Sequence, residues 1–314
     1  MPYSLGVDIG GTKIAAGIVD EKGKCLFRTQ HPSISGNREN MYQQVVRCIK
    51  DVVDQFGCSI EGLEGIGIGV PGKVDTEKGI AVYQNNLQWA DFPIKQRILE
   101  QFPVKKVVID NDVYMAAFAE WIQHGQEMEE TFVYLTISTG ISCCTIHNGT
   151  FIRGSTGFAG EIGMLPVAVD PLTGERLPLE TMASGPAIER LADKKAQSNK
   201  NFISGSVSAI IKSCKQIIME YRNQEPYALE VMNEILDYLA KGLYTIICIL
   251  DPNKLVLGGG VINHNPELIK AVKDSLQTYL ISEQADLLNR IYPSILKGDA
   301  GLIGAGLRIH EFFN

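Results

Sequence analysis

The chain has 314 residues, 45% hydrophobic and 21% charged, with a formal net charge of −7. That length and an ordinary composition point to a globular protein of two domains, and the negative balance argues against wholesale nucleic-acid binding. Its apolar runs, such as residues 246–250, are far too short to span a bilayer. The N-terminus has no basic segment followed by an apolar core, and seven scattered cysteines without a C-x-x-C pair fit a reduced, cytoplasmic protein with no membrane partner.

Along the chain, strands are expected at residues 5–9, 13–19 and 25–31. The first two enclose a tight turn of Gly10, Gly11 and Thr12 before Lys13, and a second turn closes the pair at Asp20 to Gly23. A helix follows, with Tyr42, Val45, Val46, Ile49, Val52, Val53 and Phe56 on one face. Residues 66–70 read as a buried strand stopping at Pro71-Gly72. Residues 104–109 read as another, feeding a helix from Asp112 to about His124. From Phe132 the opening pattern returns: strand, a turn of Ser138, Thr139 and Gly140, strand, and a closing turn at Asn148-Gly149. Asp8 falls opposite Thr136, Thr12 opposite Gly140, and Asp20 opposite Asn148. Residues 192–206 are polar and read as loop. A long helix is expected over 227–250, ended by Asp251-Pro252-Asn253. A short strand at 254–257 precedes Gly258-Gly259-Gly260, and a helix over 301–313 closes the chain. A duplicated opening among mixed strands and helices points to two related α/β domains with a cleft between them.

Four clusters can carry chemistry, and each has a plainer reading beside it. Turns of Gly, Thr and Ser expose backbone N–H groups and hydroxyls without bulk. The turns at 10–12 and 138–140 therefore suit phosphate oxygens, with Asp8 holding water on a magnesium ion; the plainer reading is a glycine-rich hairpin turn. The Walker A spacing is absent. Asn111-Asp112 sits where a strand meets a helix, which is where ligands of open α/β sheets collect. An Asp there can accept the proton of a hydroxyl attacking phosphorus; the pair also fits a helix N-cap. Glu161, between Gly160 and Gly163, and Glu180, before Ser184-Gly185, can accept hydrogen bonds from sugar hydroxyls or be solvated loop charges. Gly259 and Gly260 permit flat packing against adenine or ribose, or a close backbone crossing.

Together these clusters resemble the ROK family, bacterial sugar kinases and sugar-responsive repressors of the actin-like ATPase superfamily. The resemblance covers essentially the whole chain, in order. Asp8 to Lys13 matches the first phosphate segment, Val70-Pro71-Gly72 the V-P-G turn, and Asn86-Leu87-Gln88-Trp89 the N-L-x-W segment near the sugar. Asn111-Asp112 matches the N-D pair whose Asp is the family's base. Ser138 to Gly140 falls on the second phosphate segment, Gly160 to Gly163 on G-E-I-G, and Glu180 to Gly185 on E-T-x-A-S-G. Gly258 to Gly260 matches the adenosine-side glycines, and Asp299 to Gly306 the closing segment.

The resemblance implies two actin-like (ribonuclease H-like) domains, residues 1–112 with 300–314, and residues 113–299. It implies ATP and magnesium as cofactors, a hexose phosphorylated on its 6-hydroxyl, and a homodimer. Asp112 would be catalytic, with Asn86, Asn111, Glu161 and Glu180 binding the sugar beside it. Asp8, Gly10, Gly11, Thr12, Lys13, Ser138, Thr139 and Gly140 would surround metal and phosphates, with Gly259 and Gly260 near the adenosine.

Two departures from the family pattern stand out. Most members have His after G-E-I-G and then a cysteine knot that binds zinc. Here Met164 takes the His position, and residues 164–180 contain no Cys or His. A structural zinc site needs about four N or S ligands, so no zinc is expected. That loop would rely on its own packing, through Pro166, Pro171, Leu172, Leu177, Pro178 and Leu179. Secondly, Ser138, Ser142, Cys143 and Cys144 stand where the second phosphate segment usually has glycine. The rival to a working kinase is thus a catalytically silent sugar-binding protein of the same family. A repressor is disfavoured, because only seven residues precede Asp8 and they cannot form a DNA-reading domain.

Overall fold

The computed structural model describes residues 2–34, 36–84, 87–198 and 212–310. The elements begin with β1 (Tyr3–Ile9), β2 (Lys13–Asp20), β3 (Cys25–Pro32), α1 (Arg38–Phe56), β4 (Ile66–Val70), β5 (Lys73–Asp75), β6 (Ile80–Tyr83), α2 (Ile94–Gln101), β7 (Val107–Asn111) and α3 (Asp112–Gln123). They continue with β8 (Thr131–Ile137), β9 (Ile141–His147), β10 (Thr150–Phe151), β11 (Pro166–Val169), β12 (Arg176–Pro178), α4 (Leu179–Ala183), α5 (Gly185–Ser198) and α6 (Cys214–Arg222). The last are α7 (Pro226–Leu250), β13 (Lys254–Gly258), α8 (Gly260–Asn263), α9 (Leu268–Gln277), β14 (Ile291–Pro293) and α10 (Ala300–Leu307). The chain divides into two compact units. The first takes residues up to 129, 144–159 and from 295 on; the second takes 130–143 and 160–294.

Two five-stranded sheets repeat one plan, ordered β3-β2-β1-β4-β7 and β10-β9-β8-β13-β14. In the first, β1 and β3 are antiparallel to β2, while β1, β4 and β7 are parallel. In the second, β10 is antiparallel to β9, and β13 is parallel to both β8 and β14. This is the α/β architecture of two equivalent sheets that the duplicated opening implied. The closing turn of the second hairpin also follows its sequence: Asn148 and Gly149 have φ of 50° and 71°, the left-handed pair that a two-residue hairpin turn requires.

The first sheet has two chemically different faces, because side chains alternate along strands. Leu5, Val7, Ile9, Ile66, Ile68, Val107 and Ile109 join the apolar face of α1 in one core. The Asn37 side chain caps α1 by accepting from Glu39 and Asn40 N–H, and Gly57, with φ of 76°, ends it. On the other face lie Gly6, Gly17, Gly67 and Gly69, and α10 packs against Gly6 and Gly67 at backbone distance, while Gly69 faces α3. A Cβ on Gly6 would stand 1.8 Å from the Leu302 carbonyl oxygen, and one on Gly67 1.7 Å from that of Ala305. In the second unit, the buried stripe of α7 (Val231, Ile235, Leu239, Leu243, Ile246) packs with β8, β13, α4 and α5 residues in the other core.

Three boundaries differ from the sequence reading. The strand expected at 104–109 runs over 107–111, because its parallel pairing with β4 continues until Val70 meets Asn111. The polar stretch expected as loop from 192 continues α5 to Ser198, where Ala192 is buried; 199–211 lie outside the described residues. The closing helix, expected over 301–313, spans Ala300–Leu307, and 311–313 lie outside the described residues. Among the described residues, no helix is long and apolar enough to cross a membrane.

Candidate functional site

In the first unit, β1, β4 and β7 end side by side. Asp8 pairs with Gly69, and Gly69 with Asp110, so the two aspartates sit two strands apart, about 10 Å. Just beyond this edge come the turn at 10–12, the Pro71-Gly72 turn and Asn111-Asp112. The carboxyl end of a parallel sheet is where such folds collect ligands.

Hydrogen bonds shape the first turn into a donor site. Gly10 N–H donates to the Lys13 carbonyl at 2.8 Å, the Ser33 hydroxyl donates to the Gly10 carbonyl at 2.6 Å, and Ser33 N–H donates to the Thr12 carbonyl at 3.0 Å. The carbonyls of Gly10, Thr12 and Lys13 are thereby engaged, while the N–H groups of Gly11 and Thr12 have no hydrogen bond among the described residues. Backbone donors without competing acceptors suit an anion.

Asp8 is packed against the first turn of α10. A Cβ on Gly301 would stand 2.7 Å from its Cγ and Oδ2, so only glycine there leaves room for the carboxyl. Burial pushes the Asp8 pKa up to about 6, with Lys13 opposing the rise and Asp299 adding to it. Asp299 itself pairs with Arg28. A hard carboxylate short of positive charge, beside an anion-accepting turn, is a donor that fits magnesium. A raised carboxylate pKa stabilises the fold below the ordinary value of 3.8, a contribution lost as pH climbs through about 6. Without magnesium, Asp8→Asn is therefore expected to gain on the order of 1–3 kcal/mol over wild type at alkaline pH, and nothing near pH 4. Thermal melts at both pH values check this, and an equal offset at each would exclude Asp8 ionisation as the cause.

Of the two residues that the sequence offered as a helix cap, Asn111 takes that place. Asn111 is the N-cap of α3: its Oδ1 accepts from Val113 N–H at 2.9 Å and Tyr114 N–H at 3.3 Å. Its Nδ2 donates to the Gly72 carbonyl at 2.9 Å, so both ends of the amide serve the unit's own frame. Asp112 is the first helical residue, with Oδ1 accepting from Val113 N–H at 3.0 Å. Gly69 lies under it, where a Cβ would stand 3.3 Å from the Asp112 Cα. Asn86 lies outside the described residues.

The second unit gathers its own set. Ser138 N–H donates to the Gly140 carbonyl at 2.9 Å, and Gly185 N–H donates to the Ser138 carbonyl at 2.8 Å. Glu180 Oε2 accepts the Ile141 N–H at 2.9 Å. A Cβ on Gly140 would stand 2.5 Å from that oxygen, so Gly140 makes room for Glu180. Gly259, with φ of +84°, crosses Ile137 so closely that a Cβ would meet its carbonyl oxygen at 2.4 Å, while Gly260 has only Ser138 Oγ at 4.0 Å. Thr139 is exposed. Glu161 is exposed over much of its surface, yet loss of water around its carboxyl, and then the Glu180 charge, raise its pKa. The unusual side chains of this segment are mostly stowed away. Cys143 and Cys144 are buried within β9, and the Ser142 hydroxyl donates to the Gly160 carbonyl at 3.3 Å. Only Ser138 of the four stands in the turn itself.

The ROK family matches residues 4–311. The chain belongs to the ROK family. A glucokinase of Halalkalibacterium halodurans is 29% identical, over 98% of this chain and 95% of its own length. A ROK family glucokinase from Streptomyces griseus, solved in complex with glucose and AMPPNP, is similar with a TM-score of 0.82 at 27% identity, covering 97% of this chain and 98% of its own. The ROK hexokinase from Thermus thermophilus gives 0.75 at 29% identity, covering 97% of each.

In this ROK protein the stretch after Gly163 is a small hairpin of β11 and β12. Packing holds its base, not its tip. Leu179 is buried and Leu177 and Pro178 are half-buried, but Pro166 and Pro171 are exposed and Leu172 is 94% exposed. The tip is instead pinned by Asp170, whose Oδ1 accepts the N–H of Leu172 at 2.8 Å and of Thr173 at 3.0 Å. That Asx-type turn was the signal the sequence reading passed over. It also missed the glycines that admit Asp8 and Glu180, and a pair between the buried Asp110 and the half-buried Arg153, 43 residues apart.

Proposed function

We propose that this protein is an ATP-dependent sugar kinase that transfers the γ-phosphoryl group to the 6-hydroxyl of a hexose. The observation that carries the reading is the placement of Asp112 at the carboxyl edge of β1, β4 and β7, in the same unit as a turn that leaves backbone N–H groups for phosphate. The glucokinase relatives support the reaction class.

On this reading Asp112 takes the proton from the attacking hydroxyl, since phosphoryl transfer needs positioning and charge neutralisation more than covalent help. The turn at Gly10, Gly11, Thr12 and Lys13 supplies N–H groups, a hydroxyl and a cation to phosphate oxygens, and the turn at Ser138, Thr139 and Gly140 supplies a second such set. Asp8 would hold magnesium, which when bound neutralises phosphate charge. Glu161 and Glu180 would accept hydrogen bonds from sugar hydroxyls, as would Asn86. Asn111 fixes the start of α3 under the base. Gly260 leaves open space on the adenosine side.

A second reading, a silent sugar-binding protein, draws on the side chains at 138 and 142–144. It is weakened because Ser142, Cys143 and Cys144 lie within β9, the two cysteines buried, and only Ser138 stands in the turn. ADP release with magnesium and ATP, across glucose, fructose, mannose, allose and N-acetylmannosamine, separates the two. Sugar-stimulated release with at least one hexose is expected. Measurable sugar affinity with no stimulated release by any of them would establish the silent protein instead.

A further inference from the structure

One residue behind the Asn111-Asp112 junction lies an ion pair, its carboxylate buried and its arginine half-buried, that the roles above leave unused. Asp110 is 2% exposed. Its carboxylate accepts both guanidinium arms of Arg153, at 2.9 Å on Oδ1 and 2.5 Å on Oδ2. Oδ1 also accepts the Asn111 N–H at 2.8 Å. Arg153 follows β10 and lies over the rings of Tyr114, at 4.6 Å, and Phe151, at 5.0 Å. Burial alone would lower the Arg153 pKa, but the hydrogen-bonded Asp110 outweighs it and the pKa rises. The Tyr114 hydroxyl, two residues into α3 from Asp112, lies 3.2 Å from the Ile152 carbonyl and 3.1 Å from that of Ala159. Segment 152–159 is thereby fastened to the first turn of α3 at both ends.

A third charge completes the cluster. Arg308, at the end of α10, lies over Phe118 at 5.2 Å and Phe151 at 5.4 Å, and its Nε has no hydrogen-bond partner among the described residues. Burial lowers its pKa, Asp110 opposes that and Arg153 adds to it. Asp110 is thus bonded to one arginine and feels the charge of a second.

Stability is a weak reason for such an arrangement, because taking a carboxylate out of water costs much of what the pairing returns. What a bidentate fork supplies is fixed geometry. The backbone it fixes runs through residues 110–112: Asp110 is clamped by Arg153 and holds Asn111 N–H, Asn111 caps α3 and binds Gly72, and Asp112 follows directly. We propose that Arg153 is a positioning residue for phosphoryl transfer, acting through Asp110 and Asn111 to place the Asp112 carboxylate. The proposal rests on the kinase reading.

The test uses the full chain as wild type, Arg153→Met, Arg153→Lys and Asp112→Ala, with the sugar that the panel identifies. Steady-state kinetics, calorimetric sugar affinity and thermal melts are recorded for each. Arg153→Met is expected to lower kcat by about 10–100-fold, the effect of displacing a catalytic group by roughly 1 Å. KM for sugar and ATP should stay within about threefold, since only placement of the base is lost. The melt should fall as well, because the buried Asp110 carboxylate loses its bidentate partner, so kcat is compared at a temperature where both proteins are fully folded. Arg153→Lys should recover part of kcat, keeping the charge but not the fork. A kcat in Arg153→Met within about threefold of wild type, or a change confined to KM, overturns the positioning role; with Asp112→Ala inactive, the kinase reading survives. Turnover in Asp112→Ala at the wild-type rate, or none in wild type with any sugar, overturns that reading and the proposal with it. Should Arg153→Met fail to fold, Arg153→Lys decides: a several-fold fall in kcat at constant KM supports the role, and no fall overturns it.

Discussion

Asp112→Ala should lose at least about 10³-fold in kcat, near the upper range for removing a general base, while still melting and binding sugar almost as wild type does. The separation follows from the division of labour at the head of α3. Asn111, not Asp112, is the N-cap, accepting from Val113 and Tyr114 and donating to Gly72. Asp112 adds one short contact to Val113 N–H and a favourable charge in the first helical turn, together worth about 0.3–1 kcal/mol. Asn111→Ala is the useful contrast: it forfeits a cap worth about 1 kcal/mol, as well as the bond to Gly72. Stopped-flow or coupled assays give kcat, and calorimetry gives sugar affinity. Turnover within about tenfold of wild type in Asp112→Ala would remove Asp112 from the chemistry, since a working base contributes more than that.

Much of this could be read from the chain, and the reasons are local. The two hairpins are legible because turn chemistry acts over a few residues: glycines at 10, 11 and 140, and the Asn148-Gly149 pair with both φ values positive. The helix beginning at Asp112 is legible for the same reason, since Asn before Asp at the end of an apolar strand is a start signal. Which of the two caps the helix was not legible, because both side chains are competent and register decided it: β7 runs on to Asn111 through its pairing with Val70. Partners far apart in sequence left no local trace. Arg153 meets Asp110, Glu180 meets the Ile141 N–H, and Gly301 admits the Asp8 carboxyl only once the sheet and helices are assembled. The hairpin that replaces the cysteine knot was misjudged because apolar residues were assumed to pack, whereas Asp170 organises the tip and leaves Leu172 in solvent.

Gly67→Ala is expected to destabilise the first unit by about 3 kcal/mol or more, the upper range for overpacking, although it adds a single methyl group to a strand. The alternation of Ile66-Gly67-Ile68-Gly69 reads as a mediocre strand by propensity, since glycine weakens strand interiors. Here each glycine is demanded by what lies above it. An alanine Cβ at 67 would sit 1.7 Å from the Ala305 carbonyl oxygen and 2.4 Å from its carbon. Both are backbone atoms of α10, so no rotamer change relieves the clash. Sliding the helix away is blocked by α3 behind it: a Cβ on Gly304 would stand 1.8 Å from the Met115 carbonyl oxygen, so those two helices already pack at backbone distance. The same helix carries Gly301 against Asp8, and α3 carries Asp112, so any displacement reaches both ends of the proposed chemistry. Gly62→Ala is the control: its backbone is not left-handed and nothing lies within 4 Å of the added carbon, so the change should stay within about 0.5 kcal/mol. Urea unfolding of the two variants gives the comparison. A loss below about 1 kcal/mol for Gly67→Ala, where typical overpacking costs more, would mean that α10 rides further from the sheet than its carbonyl contacts require.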